Sequence, residues 1–167
     1  MRQRIWFPLV VVLLFATPSF AALKINDAAP AFTLPELGNK EYSFSGAQTG
    51  AKGGTIINFF ASWCIPCRAE LPMLNAFVPE LNEKGVTVLL IGVREDFGTI
   101  SQLLTELKVD KPVVVSDRDG KVAELYRVFF LPTTFFVGAD GRVKDIIFGQ
   151  IKDEDQLRKG IASITTP

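Results

Sequence analysis

Two cysteines, Cys64 and Cys67, are the residues of this sequence best suited to chemistry. They are the only cysteines among 167 residues and lie in the segment Trp-Cys-Ile-Pro-Cys-Arg. Two thiols at this spacing can form a disulfide that opens and closes, an inert cross-link, or half of a metal site. A zinc site takes four ligands, and this chain supplies two thiols and no histidine. The spacing alone does not decide between the remaining two.

The N-terminus has the pattern of a secretory signal. A basic start precedes an almost wholly apolar run over residues 5–16, and small residues lead up to Ala21. Because the run is shorter than the ~20 residues that span a bilayer, we predict cleavage at or just after Ala21 rather than a retained anchor. Residues 1–21 are therefore predicted to be a signal peptide. Residues 22–167 are predicted to be one domain in the periplasm, where disulfides persist.

Length and composition argue against a cross-link that holds the fold together. A chain of roughly 145 residues can bury a proper core without covalent support, and this sequence is 48% hydrophobic with 14 Phe. The formal net charge is zero and no basic block is present, so neither nucleic acid nor a membrane surface is indicated as a partner. Membrane contact is expected only if the signal is retained. Composition therefore favours redox chemistry for the cysteine pair.

Alternating strand and helix patterns surround the cysteines. Short apolar runs over 55–60 and 86–93 are typical of buried strands, and apolar spacings of three and four after Cys64 predict a helix that Gly85 ends. The other predicted elements are helices over 98–108, near 122–126 and over 153–164, and strands near 33, at 42–44, 113–115, 133–137 and 143–148. This order predicts an α/β fold with a central mixed β-sheet and helices on both faces.

These elements place the cysteine pair between a buried strand and the helix that follows it. Cys64 then lies at or just before the first helical turn, where unpaired N–H groups and the helix dipole favour a thiolate. Cys67 lies within that turn and should be the more buried of the two. We therefore predict that Cys64 attacks the partner and that Cys67 resolves the mixed disulfide. Pro66 fits this position, because early helical N–H groups lack intrahelical partners.

Four segments of the chain resemble the TlpA/ResA/DsbE-like branch of thioredoxin-fold proteins. They are residues 26–35, 58–68, 70–72 and 131–135. The resemblance implies a thioredoxin-like fold with an N-terminal β extension. It also implies a thiol–disulfide oxidoreductase that needs no cofactor beyond the Cys64–Cys67 disulfide.

The same resemblance implies partners for the enzyme. They are disulfide-containing exported proteins, such as apocytochrome c or its maturation factors, and a membrane thiol reductant that restores the dithiol. We therefore expect the enzyme to work as a reductant. Because the sequence has no long apolar surface pattern, we expect a monomer.

The resemblance further assigns substrate-binding roles around the cysteine pair. Pro132 falls where the family carries a cis-proline facing the disulfide, and the backbone of Leu131 would pair with an extended substrate segment. Trp63 and Pro66 would shape the surface beside the disulfide. These four residues form the predicted substrate-binding set.

An acid beneath the cysteines completes the predicted site. The branch often places it at the end of the second buried strand, where Glu95 stands and could accept the proton of Cys67. Its neighbour Asp96 is an equal candidate for this role. Asn58 stands where thioredoxin has a buried aspartate, which makes such a loop acid more necessary. Glu70 belongs to one of the matched segments, but the sequence is equally consistent with an exposed helix residue there, so we assign it no role.

Other functions remain open on the same fold. A peroxiredoxin shares the opening segment, but its peroxide pocket needs a Pro and a Thr or Ser where this chain has Ile57 and Ala61. A carrier could hold Cu(I) between the two thiolates, although copper chaperones on this fold use a histidine. A non-catalytic binding module is the third alternative. Reductive thiol–disulfide exchange fits the residues best.

Overall fold

The structure is a computed structural model that describes residues 22–38, 40–46 and 53–165. The predicted signal peptide, residues 1–21, lies outside these ranges. In the part of the chain that the structure describes, no helix is long and apolar enough to cross a membrane.

Strands and helices alternate along the chain around one sheet. The strands are β1 (Phe32–Glu36), β2 (Lys40–Phe44), β3 (Thr55–Phe60), β4 (Thr87–Val93), β5 (Val113–Asp117), β6 (Thr133–Val137) and β7 (Val143–Phe148). The helices are α1 (Ile65–Glu83), α2 (Phe97–Leu107), α3 (Lys121–Leu125) and α4 (Glu154–Thr165). The strand order in the sheet is β2-β1-β5-β4-β3-β6-β7.

The sheet combines a parallel centre with antiparallel edges. β3 pairs parallel with β4, and β4 pairs parallel with β5. These parallel pairs are connected through α1 and α2, as parallel neighbours require. β6 pairs antiparallel with β3 and with β7 on one side, while the β1–β2 hairpin joins β5 on the other. The N-terminal β extension is thus part of the sheet, as predicted.

The side chains of β3 alternate between two apolar cores. Ile56 and Phe60 pack in the core that contains the buried faces of α1, α2 and α4. Ile57 and Phe59 pack in the opposite core with α3 and the N-terminal strands. This explains why all six residues of β3 are buried and why the strand is apolar without alternation. Asn58 lies between Ile56 and Phe60 on the face toward α1.

The predicted fold class is confirmed by this architecture. Helices cover both faces of a mixed sheet, and each predicted strand and helix is present with ends shifted by a few residues. The second buried strand, predicted over 86–93, spans Thr87–Val93. Such shifts are normal, because helix and strand ends depend on caps that local pattern resolves poorly.

Candidate active site

Cys64 is the N-cap residue of α1, at the point where the chain leaves β3. Its N–H donates to the carbonyl of Ala61 at 3.1 Å, which closes the turn between the strand and the helix. Its sulfur accepts the N–H of Cys67 at 3.3 Å, in the place of the side-chain oxygen that usually caps a helix. Pro66 occupies the first turn and lacks only an N–H that would have no intrahelical partner. The sulfur of Cys64 therefore lies at the positive end of the helix dipole.

The two cysteines form a disulfide, and they differ in how far each is exposed to solvent. Their sulfurs are 2.02 Å apart. The exposed fraction of Cys64 is 4%, whereas Cys67 is wholly buried. Only Cys64 can meet an approaching thiol or disulfide from solvent. Cys67 is thus the more buried of the two, as predicted, and the order in which Cys64 attacks and Cys67 resolves stays a prediction.

The loop before β6 packs against the core in which both cysteines lie. Leu131 packs against the apolar core that contains both cysteines, and the Leu131–Pro132 peptide bond is cis. The carbonyl of Pro132 accepts the N–H of Gly149 at 2.9 Å. Within residues 22–38, 40–46 and 53–165, no hydrogen bond uses the N–H or the carbonyl of Leu131. The backbone of Leu131 is thus free to pair with another chain.

Glu95 is buried just after β4 and holds the turn that precedes the cysteines. Its carboxylate accepts the N–H of Ser62 at 2.9 and 3.0 Å and the hydroxyl of Ser62 at 2.5 Å. The hydroxyl of Ser116 donates to the Glu95 carbonyl at 2.6 Å. These bonds fix Ser62, two residues before Cys64, against the end of β4. Proton transfer from Cys67 to Glu95 stays a prediction.

The prediction that Asp96 could be the buried acid is wrong. It is exposed and caps α2, where its carboxylate accepts the N–H of Thr99 at 2.9 Å. Hydrogen bonds from Thr99 lower the pKa of Asp96, because they favour the ionised form. A group ionised in this way is a poor match for a proton acceptor that must work near neutral pH.

Glu70 is wholly buried, which contradicts its interpretation as an exposed helix residue. Its carboxylate accepts the N–H of Ile151 at 2.6 Å and the side-chain amide of Asn58 at 2.7 Å. Burial raises the pKa of Glu70 to about 7, although both hydrogen bonds oppose the shift. Glu70 follows Cys67 by three positions, so the two side chains share one face of α1.

Asn58 connects Glu70 to the neighbouring strand. Its side-chain N–H₂ group donates to Glu70 and also to the hydroxyl of Thr134 at 2.8 Å, while its side-chain oxygen has no partner in the described ranges. An amide at this position donates to a carboxylate, whereas an aspartate there would repel it. The titratable carboxyl of the buried network therefore belongs to Glu70 on α1 and not to β3.

Arg68 is the positive charge nearest to the cysteines in sequence, and it is already engaged. Its guanidinium forms an ion pair with Glu106 and reaches the carbonyl of Ser62 at 3.5 Å. The ion pair thus joins α1 to α2. It therefore offers the sulfurs less stabilisation than a free guanidinium at the same position.

The two positions that distinguish a peroxiredoxin pocket lack the hydroxyl and proline that such a pocket needs. Ile57 and Ala61 are wholly buried and apolar, so neither supplies a hydroxyl for a peroxide pocket. Across the described ranges, no three side chains of His, Cys, Asp and Glu are grouped so that they could hold a metal ion.

Comparison with known proteins identifies relatives that are thiol–disulfide oxidoreductases. The AhpC/TSA family model matches residues 25–146. The thiol–disulfide oxidoreductase ResA of Oceanobacillus iheyensis is 30% identical over 156 residues, which cover 90% of this chain and 81% of that protein. ResA of Geobacillus thermodenitrificans is 33% identical over 144 residues, covering 86% and 79%. A DsbE-type thiol:disulfide interchange protein from Chlorobium tepidum superposes with a TM-score of 0.75 at 27% identity, covering 86% and 99%.

The fold and the cysteine pair define a thioredoxin-fold thiol–disulfide oxidoreductase, an enzyme class whose substrates are disulfide-containing proteins. The chain belongs to the AhpC/TSA family, in its TlpA/ResA/DsbE-like branch. The resemblance inferred from the four sequence segments is thereby confirmed.

The buried Glu70 predicts a pH dependence of stability. Its pKa is higher in the folded protein than the ordinary value of 4.5, so its contribution is most favourable below pH 4.5. This favourable contribution decreases as the pH rises to about 7, and the stability does not change further with pH on its account above this value. Relative to Glu70→Gln, the oxidised wild-type protein should lose about 3 kcal/mol of unfolding free energy over this interval. Urea unfolding at a series of pH values measures the difference.

Glu80→Gln is the matched control on the same helix. Glu80 is partly exposed, and its hydrogen bond from Lys84 lowers its pKa, so its effect on stability should be small and of opposite sign. A difference between wild type and Glu70→Gln that does not change with pH would contradict the raised pKa of Glu70.

Proposed function

We propose that this enzyme works in the periplasm as a reductant of disulfides in exported proteins, either broadly or in cytochrome c maturation. The pattern of residues 1–21 supports export. The observation that carries the proposal is the arrangement of Cys64, which lies at the start of α1 and is slightly exposed, above a wholly buried Cys67. A membrane thiol reductant would restore the dithiol after each cycle.

The exchange runs in two steps through one mixed disulfide. The thiolate of Cys64 attacks one sulfur of the substrate disulfide, forms an intermolecular S–S bond and releases the other substrate sulfur as a thiolate. Cys67 then loses its proton and attacks the sulfur of Cys64, which releases the second substrate thiolate. Two electrons pass from the enzyme dithiol to the substrate, and the enzyme is left with the Cys64–Cys67 disulfide.

Glu70 is the acceptor best suited to the proton of Cys67. The two residues share one face of α1, and the pKa of Glu70, raised to about 7, matches a group that accepts and returns a proton near neutral pH. The carboxylate of Glu95 is the second candidate, although three short bonds already commit it to Ser62. We therefore assign Glu70 to proton transfer and Glu95 to positioning the turn before Cys64.

The substrate would reach Cys64 as an extended segment. The free backbone groups of Leu131 can pair with such a segment as an added strand, which brings a substrate cysteine toward the disulfide. Pro132 is the last residue of this loop before β6, and it is buried. Trp63 and Pro66 flank Cys64 and form the surface on which the segment lies.

Electrostatics favour the reducing direction. A strong oxidant of this fold keeps its reduced form stable, because nearby groups stabilise the thiolate. Here the adjacent Arg68 is paired with Glu106, and two carboxyls are buried, that of Glu70 on α1 and that of Glu95 just after β4. The Cys64 thiolate is thus stabilised mainly by the helix N-terminus, so the disulfide form is comparatively stable.

We predict a reduction potential close to that of thioredoxin, at about −270 mV. Equilibration of the purified protein with glutathione or dithiothreitol redox buffers, with both forms separated by mass after alkylation, gives this value. A potential near that of DsbA, at about −120 mV, would contradict the reducing direction.

We also predict that Cys67→Ser accumulates mixed disulfides with exported proteins. Removal of the resolving sulfur leaves the first step intact and blocks the second. Expression with the native signal, followed by acid quenching and non-reducing electrophoresis, should show adducts that thiol reduction releases. Trapped apocytochrome c or its maturation factors would indicate the specialised role, and a broad set would indicate the general one.

Cys64→Ser combined with Cys67→Ser is the control for the trapping experiment, because it removes both sulfurs and keeps the size of each side chain. Adducts that persist in this double variant are unrelated to the exchange. A folded Cys67→Ser protein that forms no adducts in the periplasm would refute the proposed function.

A further inference from the structure

Asn58 carries the one buried side-chain oxygen or nitrogen that has no hydrogen-bond partner among the residues that the structure describes. This atom is its amide oxygen, Oδ1, and the side chain is wholly buried. An unpaired polar atom in the core costs stability, so each such atom in a native fold calls for an explanation. The amide nitrogen of the same side chain has two partners, which lie 2.7 Å away at Glu70 and 2.8 Å away at Thr134.

The orientation of the Asn58 amide suits only the ionised form of Glu70. The Oε1 atom of Glu70 accepts the N–H₂ group of Asn58, and Oε2 accepts the N–H of Ile151 at 2.6 Å. An ionised carboxylate accepts at both oxygens, whereas the neutral form carries an O–H that needs an acceptor of its own. Both groups that contact Glu70 are donors. The neutral form of Glu70 therefore lacks a partner for its proton in this arrangement.

Both forms of Glu70 occur near neutral pH. Burial raises its pKa to about 7, and the hydrogen bonds from Ile151 before α4 and from Asn58 of β3 oppose the rise. No charged side chain of the described ranges contributes to this shift. In the proposed exchange, Glu70 also changes form in each cycle, because it takes the proton of Cys67 and releases it again. The site must therefore serve a neutral and an ionised carboxyl in turn.

Inversion of the Asn58 amide would meet both needs. A half-turn about its Cβ–Cγ bond exchanges the oxygen and the nitrogen, and this torsion is broad and roughly two-fold for asparagine. Oδ1 would then face Glu70 and Thr134. It can accept the O–H of neutral Glu70, and the hydroxyl of Thr134 can donate to it as readily as it accepts from the nitrogen. The N–H₂ group is then unpaired, so either orientation leaves part of the amide without a partner.

We propose that Asn58 is a positioning residue whose side-chain amide inverts each time Glu70 gains or loses a proton, with the hydroxyl of Thr134 as the partner common to both orientations. The inference rests on the proposed function, because it concerns the proton that Glu70 takes from Cys67. In that step the S–H bond of Cys67 breaks, an O–H bond forms on Glu70, and the sulfur keeps the electron pair with which it attacks Cys64. The amide exchanges only hydrogen bonds and carries no proton itself.

Nuclear magnetic resonance of the oxidised wild-type protein tests the inversion without any substitution. With isotope-labelled asparagine, the two amide protons of Asn58 should titrate with the same midpoint, at about pH 7, as the carboxyl carbon of Glu70. Their nuclear Overhauser effects to the side chain of Thr134 should be strong well above that pH and lost well below it, because inversion turns the N–H₂ group away.

The side-chain amide of Asn75 is the internal control for this titration. It is also buried on α1, and it is bonded to the loop 108–111, so its signals should not follow Glu70. In Glu70→Gln the titrating group is absent, and the Asn58 signals should no longer depend on pH. Asn58 signals that still titrate in this variant, or Overhauser effects that persist below the pKa of Glu70 in the wild type, would overturn the proposal.

Asn58→Leu tests the role of the amide in the exchange itself. Leucine has a similar shape but offers Glu70 neither a donor nor an acceptor. The ionised form loses the stronger, charge-assisted bond, so the pKa of Glu70 should rise. At neutral pH the release of the second substrate thiol should then slow about fivefold, and its pH profile should move upward. Rapid mixing of the reduced enzyme with a peptide disulfide, followed by acid quenching and mass spectrometry, measures this step.

Asn75→Leu is the matched control for Asn58→Leu, because it removes a buried amide that does not contact Glu70. It should leave the pH profile as it is in the wild type. An unchanged profile in a folded Asn58→Leu protein would refute the role of Asn58 in the proton step.

The two levels of inference can fail separately. If Cys67→Ser traps exported proteins while Asn58 keeps one orientation at every pH, the amide inversion is refuted and the proposed function stands. If Asn58 inverts with Glu70 but the reduced wild-type enzyme cleaves no disulfide, the proposed function fails, and with it the role of Asn58 in the exchange.

Discussion

The hydrogen bond from the N–H of Cys67 to the sulfur of Cys64 is the interaction on which the rest of this site depends. It makes the Cys64 sulfur the cap of α1, so the element that positions this cysteine would also stabilise a thiolate formed on reduction. The same turn of helix buries Cys67 within reach of Cys64 and away from solvent. One short segment after β3 thereby places one cysteine at the surface and the other in the core.

The surrounding elements hold this helix start in place with buried polar bonds. Glu95 fixes Ser62 in the turn before Cys64. One turn beyond Cys67, Glu70 binds Asn58 of β3 and the N–H of Ile151 before α4. Burial of a carboxyl costs stability, which its raised pKa reflects. The protein therefore keeps a destabilising carboxyl one helical turn after Cys67, and groups with shifted pKa values of this kind are common at functional sites.

The sequence allowed most of the fold to be predicted, because apolar spacing reflects burial directly. The uninterrupted apolar run Thr55–Phe60 is buried on both faces, and the spacing after Cys64 matches α1. The position of the cysteines between these elements predicted which thiol is exposed. Their chemistry follows from local structure, which short-range patterns describe well.

The acids could not be placed with the same success, because their environment is set by distant residues. Glu70 is buried by partners 12 and 81 positions away in sequence. Its spacing of three from Cys67, on the apolar face of the helix, was a signal that could have identified it. Asp96 stands immediately before α2, and the preference of aspartate for the N-cap would have distinguished it from Glu95.

The different roles of Cys64 and Cys67 are tested most directly by alkylation of the reduced protein across a pH series, with the modified cysteine identified by peptide mass spectrometry. We expect Cys64 to react first, with an apparent pKa below the value of about 8.5 for a free cysteine, while Cys67 is protected as long as the protein is folded. Equal reaction of both cysteines, or titration of Cys64 at the value of a free thiol, would contradict the division of roles described above.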